Sequence, residues 1–303
     1  MVASRLIQYG QRGGISLLET DVPPPGPGQV QVRVTACGVC SWDIWTFRHG
    51  QSPDQPTPPG HEAVGRVHAV GAGVEDARVG ELVAVKGGGF CDFCNIAARK
   101  AYPLSVGLLP DEHWSVEPVS CVVTALDHLT LPAGARVGVV GCGFMGLLLV
   151  QALSRCLLGD LTVADNNEWR IKRAKEMGAK RTVTPEDRRN LDCCIDCTGR
   201  QSGLALATEL VRPGGTVVIF GWKREPLGDL GTDWHMKGLT VLNPTPFCKK
   251  RDVFPPAIRL IEAGHVTPGA IITHTAPLTR ITDLLEEACH RSGGYIKGIV
   301  LTD

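Results

Sequence analysis

Two textures of hydrophobic patterning divide the chain. In QVQVRVTACG (29–38), apolar and polar positions alternate with the period of a half-buried strand. EAVGRVHAVG (62–71) and ELVAVKGGG (81–89) repeat the same grammar of strand followed by glycine, and DVPPPGPG (21–28) is a rigid connector ahead of them. Residues 1–87 therefore predict short strands broken by turns, an all-β unit with irregular edges. After Pro118 the period changes. VSCVVTALDHL (119–129) carries aliphatics on one helical face, RVGVVG (136–141) is a buried strand, and FMGLLLVQALSRC (144–156) is an apolar helix. LTVAD (161–165) and EWRIKRAKEMGA (168–179) are the next strand and helix, the latter stopped at Gly178. NLDCCIDCTG (190–199), GTVVIFG (215–221) and GLTVLNP (238–244) are further strands. This alternation predicts a doubly wound parallel sheet with helices on both faces. From about residue 245 the texture changes again, to amphipathic helices at 255–266 and 281–292 and a last strand in YIKGIVLTD. The expected fold class is α/β, with a β-rich unit over 1–118 and 245–303 and a parallel-sheet unit over 119–244.

Composition narrows the function classes. Lys plus Arg equals Asp plus Glu, 31 each in 303 residues, with no long run of either sign. That gives no electrostatic reason to expect nucleic acid or an anionic membrane as a partner. The longest apolar stretch, 137–150, is shorter than the roughly 20 residues of a membrane span. The N-terminal MVASRLIQYGQRGG lacks a basic-then-apolar leader pattern, so a cytoplasmic protein is expected. In that compartment the 12 cysteines are thiols or metal ligands rather than a disulfide framework. The 36 glycines, about 12% against an average near 7%, belong to turns and cofactor loops.

One such loop is GCGFMG, where Gly141, Gly143 and Gly146 with Phe144 and Met145 form GxGxxG between a buried strand and an apolar helix. The first glycine permits the tight turn, the second lets backbone approach a pyrophosphate, and the third lets helix and strand pack closely. Asp165 lies 19 residues beyond Gly146 at the end of the next strand, where a carboxylate bonds the adenosine ribose hydroxyls. A carboxylate repels a 2′-phosphate, and Asn166 and Asn167 follow rather than arginines. The expected cofactor is NAD rather than NADP.

Two further words, CGVCSWD (37–43) and PGHEAVGRV (59–67), together with GHEAVGRVHAVGAGV, VGVVGCGFMG, AKEMGA, DCTG and RPGGTVVIFG, run nearly end to end. With them the chain resembles the zinc-dependent medium-chain dehydrogenase/reductase superfamily, on the sorbitol dehydrogenase-like branch of the alcohol and polyol dehydrogenases. The resemblance implies a GroES-like catalytic domain and a Rossmann NAD-binding domain. It implies that Cys40 and His61 bind a catalytic zinc and that Asp43 orients the metal ligands. For the third ligand it offers Glu117, before a proline in VEPVSC, with Glu62 beside the metal and able to ligate it directly, and Cys121 as a competitor. It also implies that Lys297 meets the cofactor pyrophosphate, that Phe220, Gly221, Leu242 and Asn243 lie near the nicotinamide, and that Cys197 and Thr198 lie on the adenosine side.

The chain departs from that family twice. Relatives carry a second, structural zinc on four closely spaced cysteines, whereas only Cys91 and Cys94 stand here, in GFCDFCN. Four ligands are the rule for structural zinc, so none is expected. A dithiol redox pair, or a partial site completed by His113, are the alternatives for these two thiols. The family's proton relay begins with a hydroxyl two residues after the zinc cysteine and ends at a histidine three further on, and Trp42 and Trp45 occupy those positions. Indole only donates a hydrogen bond and carries no proton at neutral pH. The tryptophans are packing residues or an aromatic wall for a sugar-like ring, and Ser41 is one position away from the relay.

The expected protein is a homodimeric or homotetrameric enzyme with one zinc, transferring hydride between NAD and a secondary alcohol of a polyol, sugar or cyclitol. A zinc-free quinone or enone reductase of the same fold, and a non-catalytic NAD-binding sensor or assembly protein, are the competing readings.

Overall fold

The structure is a computed structural model and describes residues 1–10, 14–51, 59–223, 225–247, 249–290 and 294–302. In chain order the first elements are β1 (Val2–Tyr9), β2 (Ile15–Val22), β3 (Gln29–Gly38), α1 (Ser41–His49), β4 (Glu62–Val70), β5 (Leu82–Lys86), β6 (Phe93–Ala97) and β7 (Ala101–Pro103). Then come α2 (Val116–His128), β8 (Arg136–Val140), α3 (Phe144–Leu153), β9 (Asp160–Ala164), α4 (Glu168–Glu176) and β10 (Arg181–Thr182). After these follow β11 (Leu191–Asp196), α5 (Gln201–Leu210), β12 (Val211–Ile219), α6 (Gly231–Lys237) and β13 (Thr240–Leu242). The last are α7 (Phe254–Glu262), β14 (His274–Pro277), α8 (Ile281–His290) and β15 (Gly298–Leu301). The final residues of the predicted 281–292 helix, 291 and 292, lie outside the described residues.

Two units emerge. The first comprises Met1–Pro118, Ala257–Glu262 and Pro268–Asp303, and the second Val119–Pro256 and Ala263–Thr267. The chain thus returns to the first unit at Ala257 rather than at 245. Segment 245–256 is held to the second unit by Arg251, whose guanidinium makes two 2.8 Å hydrogen bonds to Asp127, and by Lys250 on the Asp127 carbonyl.

In the first unit β1 and β2 form an antiparallel ribbon, and a seven-stranded sheet runs in the order β14-β15-β3-β4-β5-β7, with β6 also on β3. Strand β3 explains this shape. Val30, Val32 and Val34 are at most 1% exposed, and its register against β4 slips twice, between Gln31 and Val32 and between Val34 and Ala36. Such bulges coil a strand, and β3 accordingly pairs β6 through its first half and β15 through its last residues. Antiparallel registers set Cys37 opposite Ala63 on one side and Ile299 opposite Gly38 on the other.

Helix α1 is not apparent from the aromatic, β-prone SWDIWTF. A capping box makes it: Cys40 is the N-cap, with its sulfur facing the first-turn amides, and the Asp43 side chain returns to the Cys40 amide. Asp43, Thr46 and Phe47 then form the buried stripe at i, i+3 and i+4.

In the second unit a six-stranded, wholly parallel sheet has the order β10-β9-β8-β11-β12-β13, the doubly wound pattern expected from the alternating segments. Its strands read as unbroken apolar runs because helices cover both faces: Val137, Val139, Val163, Ile195, Val217 and Val218 are fully buried. Among the described residues no helix is long and apolar enough to cross a membrane.

Near the edge strand β10, Asp187 accepts two hydrogen bonds from the Arg181 guanidinium at 2.6 and 2.7 Å and one from the Thr184 amide at 2.7 Å. The Arg181 bonds hold the Asp187 carboxyl down at about 2. A carboxyl with a depressed folded value stabilises above its ordinary unfolded range, near 3.9, and loses that contribution as pH falls through the folded value. Asp187→Asn should therefore cost about 1 kcal/mol at neutral pH, since Arg181 is partly exposed. It should also flatten the loss of stability between about pH 5 and 2. Urea denaturation against pH checks both.

Candidate functional site

Two segments of the first unit converge. Cys40 lies at the N-terminus of α1, where its Sγ accepts from the Trp42 amide at 3.5 Å. His61 and Glu62 stand at the start of β4. One ligand atom from each of Cys40, His61 and Glu62 lies within 4.8 Å of the others, the one such group among the described residues. Glu117, half-buried in the first turn of α2, and Cys121 on the same helix are not members of it. Glu62, which the sequence expectation sets beside the metal with Glu117 as the leading third ligand, is the carboxylate that this geometry groups with Cys40 and His61.

Asp43 is the brace of this arrangement. It is 1% exposed, and it accepts from the Cys40 amide at 2.8 Å, the Gly60 amide at 3.2 Å and the Tyr9 hydroxyl at 3.3 Å. One carboxylate thus ties together the main chain before both zinc-type ligands and strand β1. Tyr9, which sequence reasoning misses, is visible only as the inward end of an alternating strand. Burial pushes both the Asp43 carboxyl and the Tyr9 hydroxyl up, the latter further because Asp43 is beside it.

Lys297, for which the resemblance implies a pyrophosphate contact, is held within the first unit against Glu62. It is 3% exposed, and its ammonium donates to Glu62 Oε2 at 2.5 Å and to the Val39 carbonyl at 2.9 Å. The reason is the strand order. Glu62 and Lys297 come from the two neighbours of β3, and Gly38 lies between them. A Cβ at Gly38 would fall 2.1 Å from Glu62 Oε2 and 3.0 Å from Lys297 Cε, so only glycine leaves room for the pair. Burial works against the Lys297 ammonium, but the Glu62 charge overcomes it and holds the group charged. His61 follows the same logic. Burial opposes the imidazolium, yet its hydrogen bond to Cys40 and the charges of Cys40, Asp43 and Glu62 push it up to about 10. The donor set thus attracts positive charge. A thiolate, an imidazole and a carboxylate are the ligands a catalytic zinc takes with one position left open, and these residues fit that metal.

Trp42 and Trp45 follow on α1, half-buried, with ring centroids 6.1 Å apart, and His49 stacks on Trp45 at 4.8 Å. The three rings form a ladder along one helix face.

In the second unit the candidate cofactor residues lie at the carboxyl ends of the parallel strands. Gly141 has φ +96°, and its amide donates to Ala164 O at 2.7 Å. Gly143 is the N-cap of α3, with open space where a Cβ would stand, and a Cβ at Gly146 would lie 1.9 Å from Gly141 O. Phe144 and Met145 begin the helix. Asp165 follows β9, and its carboxylate accepts from the Cys142 amide at 2.7 Å and the Asn167 amide at 2.9 Å. Cys197 and Thr198 follow β11, Phe220 and Gly221 follow β12, and Leu242 and Asn243 close β13. Beneath them Asp196, fully buried, accepts from Thr198 Oγ1 at 2.6 Å and pairs with Lys223, which fixes the loop after β12. This is the crevice where open α/β sheets bind ligands.

Two family models match: "Alcohol dehydrogenase GroES-like domain" over residues 26–115 and "Zinc-binding dehydrogenase" over 145–263. The chain belongs to the zinc-dependent medium-chain dehydrogenase/reductase superfamily. It is thereby an oxidoreductase of GroES-like plus Rossmann construction on the sorbitol dehydrogenase-like branch. It is 27% identical to the starvation-sensing protein RspB of Escherichia coli (strain K12), across 89% of this chain and 91% of RspB. It is 26% identical to sorbitol dehydrogenase of Gallus gallus across 90% of both chains. The structure of the short chain alcohol dehydrogenase RspB of E. coli CFT073, complexed with cofactor NADH, superposes with a TM-score of 0.87 at 24% identity, covering 99% of each chain.

Removing one partner of a buried ion pair strands the other. Lys297→Met should destabilise the protein by about 3 kcal/mol in urea, and adding Glu62→Gln should recover much of that loss. Equal stability of wild type and Lys297→Met would contradict the pairing.

Proposed function

We propose that this medium-chain dehydrogenase transfers hydride between NAD and a secondary alcohol of a polyol, sugar or cyclitol, with Cys40, His61 and Glu62 holding one zinc. The observation that carries the reading is the convergence of these three donors within 4.8 Å, in a chain that also bears the glycine-loop crevice. The likeness to a sorbitol dehydrogenase supports the substrate class. Zinc in this site supplies a Lewis acid for the substrate oxygen and lowers the hydroxyl pKa.

The chain's own residues do the rest. Asp43 holds the Cys40 and Gly60 backbones, which keeps the thiolate and His61 at one separation. Lys297 anchors one oxygen of Glu62, so the carboxylate reaches the metal through a fixed orientation. Trp42 and Trp45 cannot relay a proton, so it leaves by water, guided by Glu62 and by Glu117 as the carboxylate outside the ligand group. Their indole faces serve the substrate instead, as an aromatic wall. In the crevice, Gly143 leaves room for a pyrophosphate, and Asp165 keeps lone pairs for a ribose while repelling a 2′-phosphate.

Metal analysis of the purified protein should give one zinc per chain, abolished in Cys40→Ala and retained in Cys91→Ala. Two tightly held zincs would overturn the assignment. A screen over polyols, sugars and cyclitols should find NAD reduction, and titration should show NAD bound more tightly than NADP, with Asp165→Ala narrowing that gap. No turnover by zinc-loaded protein on any of them would favour a non-catalytic binder. On an identified substrate, Trp45→Phe should alter KM and leave the pH dependence of kcat in place; a shifted kcat profile would restore a role for Trp45 in proton transfer.

A further inference from the structure

Cys91 and Cys94 have no part in the chemistry above, yet the fold places them with care. Both are partly accessible, only two residues separate them in CDFC, and a Cβ at Gly88, on the segment leading into Cys91, would fall 3.0 Å from Cys94 Sγ. Cys91 is in an isolated bridge to Leu6 of β1, and Cys94 lies in β6 opposite Val32. Neither can shift far along the chain. The segment leading into them, Gly88–Phe90, packs on the residues that precede the ligand His61. The Phe90 amide donates to Pro59 O at 3.1 Å, and the Cys91 amide to Gly89 O at 2.8 Å. Gly60, at φ +75°, approaches so closely that a Cβ there would lie 2.8 Å from the Phe90 nitrogen and 2.9 Å from Gly89 Cα. Gly60 is the residue whose amide Asp43 holds.

We propose that Cys91 and Cys94 are a reversible dithiol–disulfide couple, oxidised by low-molecular-weight disulfides, and that its closure displaces the Gly60–His61 backbone and weakens the metal site. The two thiols are unequal. The hydrogen bond to Cys94 lowers the Cys91 thiol, while the same bond and burial raise Cys94. Cys91 is therefore the attacking thiolate. Its sulfur attacks one sulfur of the oxidant RSSR, forming a mixed disulfide and releasing RS⁻. Cys94 then loses its proton, attacks Cys91 Sγ and expels the second RS⁻. The protein gives up two electrons and the oxidant becomes two thiols. Joining the sulfurs at about 2.05 Å draws in the Gly88–Cys91 turn, and with it the Pro59–Gly60 contact. The effect on the metal rests on the zinc reading given above; the couple itself does not.

The test equilibrates the full chain with reduced and oxidised glutathione, alkylates the remaining thiols and maps them by mass spectrometry. The expected result is a peptide with a Cys91–Cys94 cross-link, reopened by dithiothreitol, and a mixed disulfide at Cys91 in Cys94→Ser. Full alkylation of both thiols under excess oxidised glutathione, or no mixed disulfide in Cys94→Ser, would overturn the couple. Chelator competition then compares zinc affinity in the two states, with the oxidised form expected to bind about tenfold more weakly and Cys91→Ser expected to be insensitive to oxidant. Equal affinity in a cross-linked protein would overturn the link to the metal site. Absence of zinc binding in both states would overturn the metal reading and leave the couple standing.

Discussion

The first unit is organised around an ion pair that crosses a strand. Glu62 and Lys297 are 3% and 4% exposed in their side chains, and they meet over Gly38 because that position of β3 has no side chain. Burying two charges is costly unless each finds a partner and further hydrogen bonds, and here the ammonium also has the Val39 carbonyl. Register is therefore not free in this sheet. A slip of one residue in either β4 or β15 would carry that strand's charge to the opposite face and break the pair. The pair consequently fixes where β4 begins, and β4 begins at Glu62, next to His61.

Asp43 performs the complementary task on the main chain. It gathers two backbone amides and a tyrosine hydroxyl from three separate segments, so the distance between the Cys40 and His61 loops depends on one buried carboxylate. The second unit also sets a carboxylate at its glycine loop, Asp165 on the Cys142 amide, but there it braces a single turn. There, backbone amides and the open N-terminus of α3 face the crevice, and Asp165 steadies the turn from the neighbouring strand. The two units thus present opposite electrostatics: an anionic donor set suited to a cation, and an amide-lined loop suited to an anion.

The nucleotide unit was almost wholly legible in the sequence. A strand buried on both faces is a short apolar run, and the glycine spacing names its own geometry. The β-rich unit was legible as strands but not as a sheet. Bulges in β3 decide which strands adjoin it, and no local pattern announces them. The Lys297–Glu62 contact and the grouping of Glu62 with Cys40 and His61 come from that pairing and have no local sequence signal. Helix α1 escaped because its capping box uses a thiol in place of the usual hydroxyl. The return crossing lies at Ala257 rather than at 245 because the Arg251–Asp127 pair, which holds the preceding segment to the second unit, joins residues 124 positions apart.

The separation of Glu62 from Lys297 by 235 residues has a consequence for how the molecule is made. Synthesis is vectorial, and domains fold as units while the chain emerges. The second unit is nearly continuous, from Val119 to Pro256, so it can collapse on the ribosome while the first unit is still missing α8 and β15. Until those last strands arrive, Glu62 has no counter-charge and β3 has an open edge. A nascent chain is thus able to complete the parallel-sheet unit before Glu62 meets Lys297, and the loop that carries His61 and Glu62 is set by residues translated after that unit.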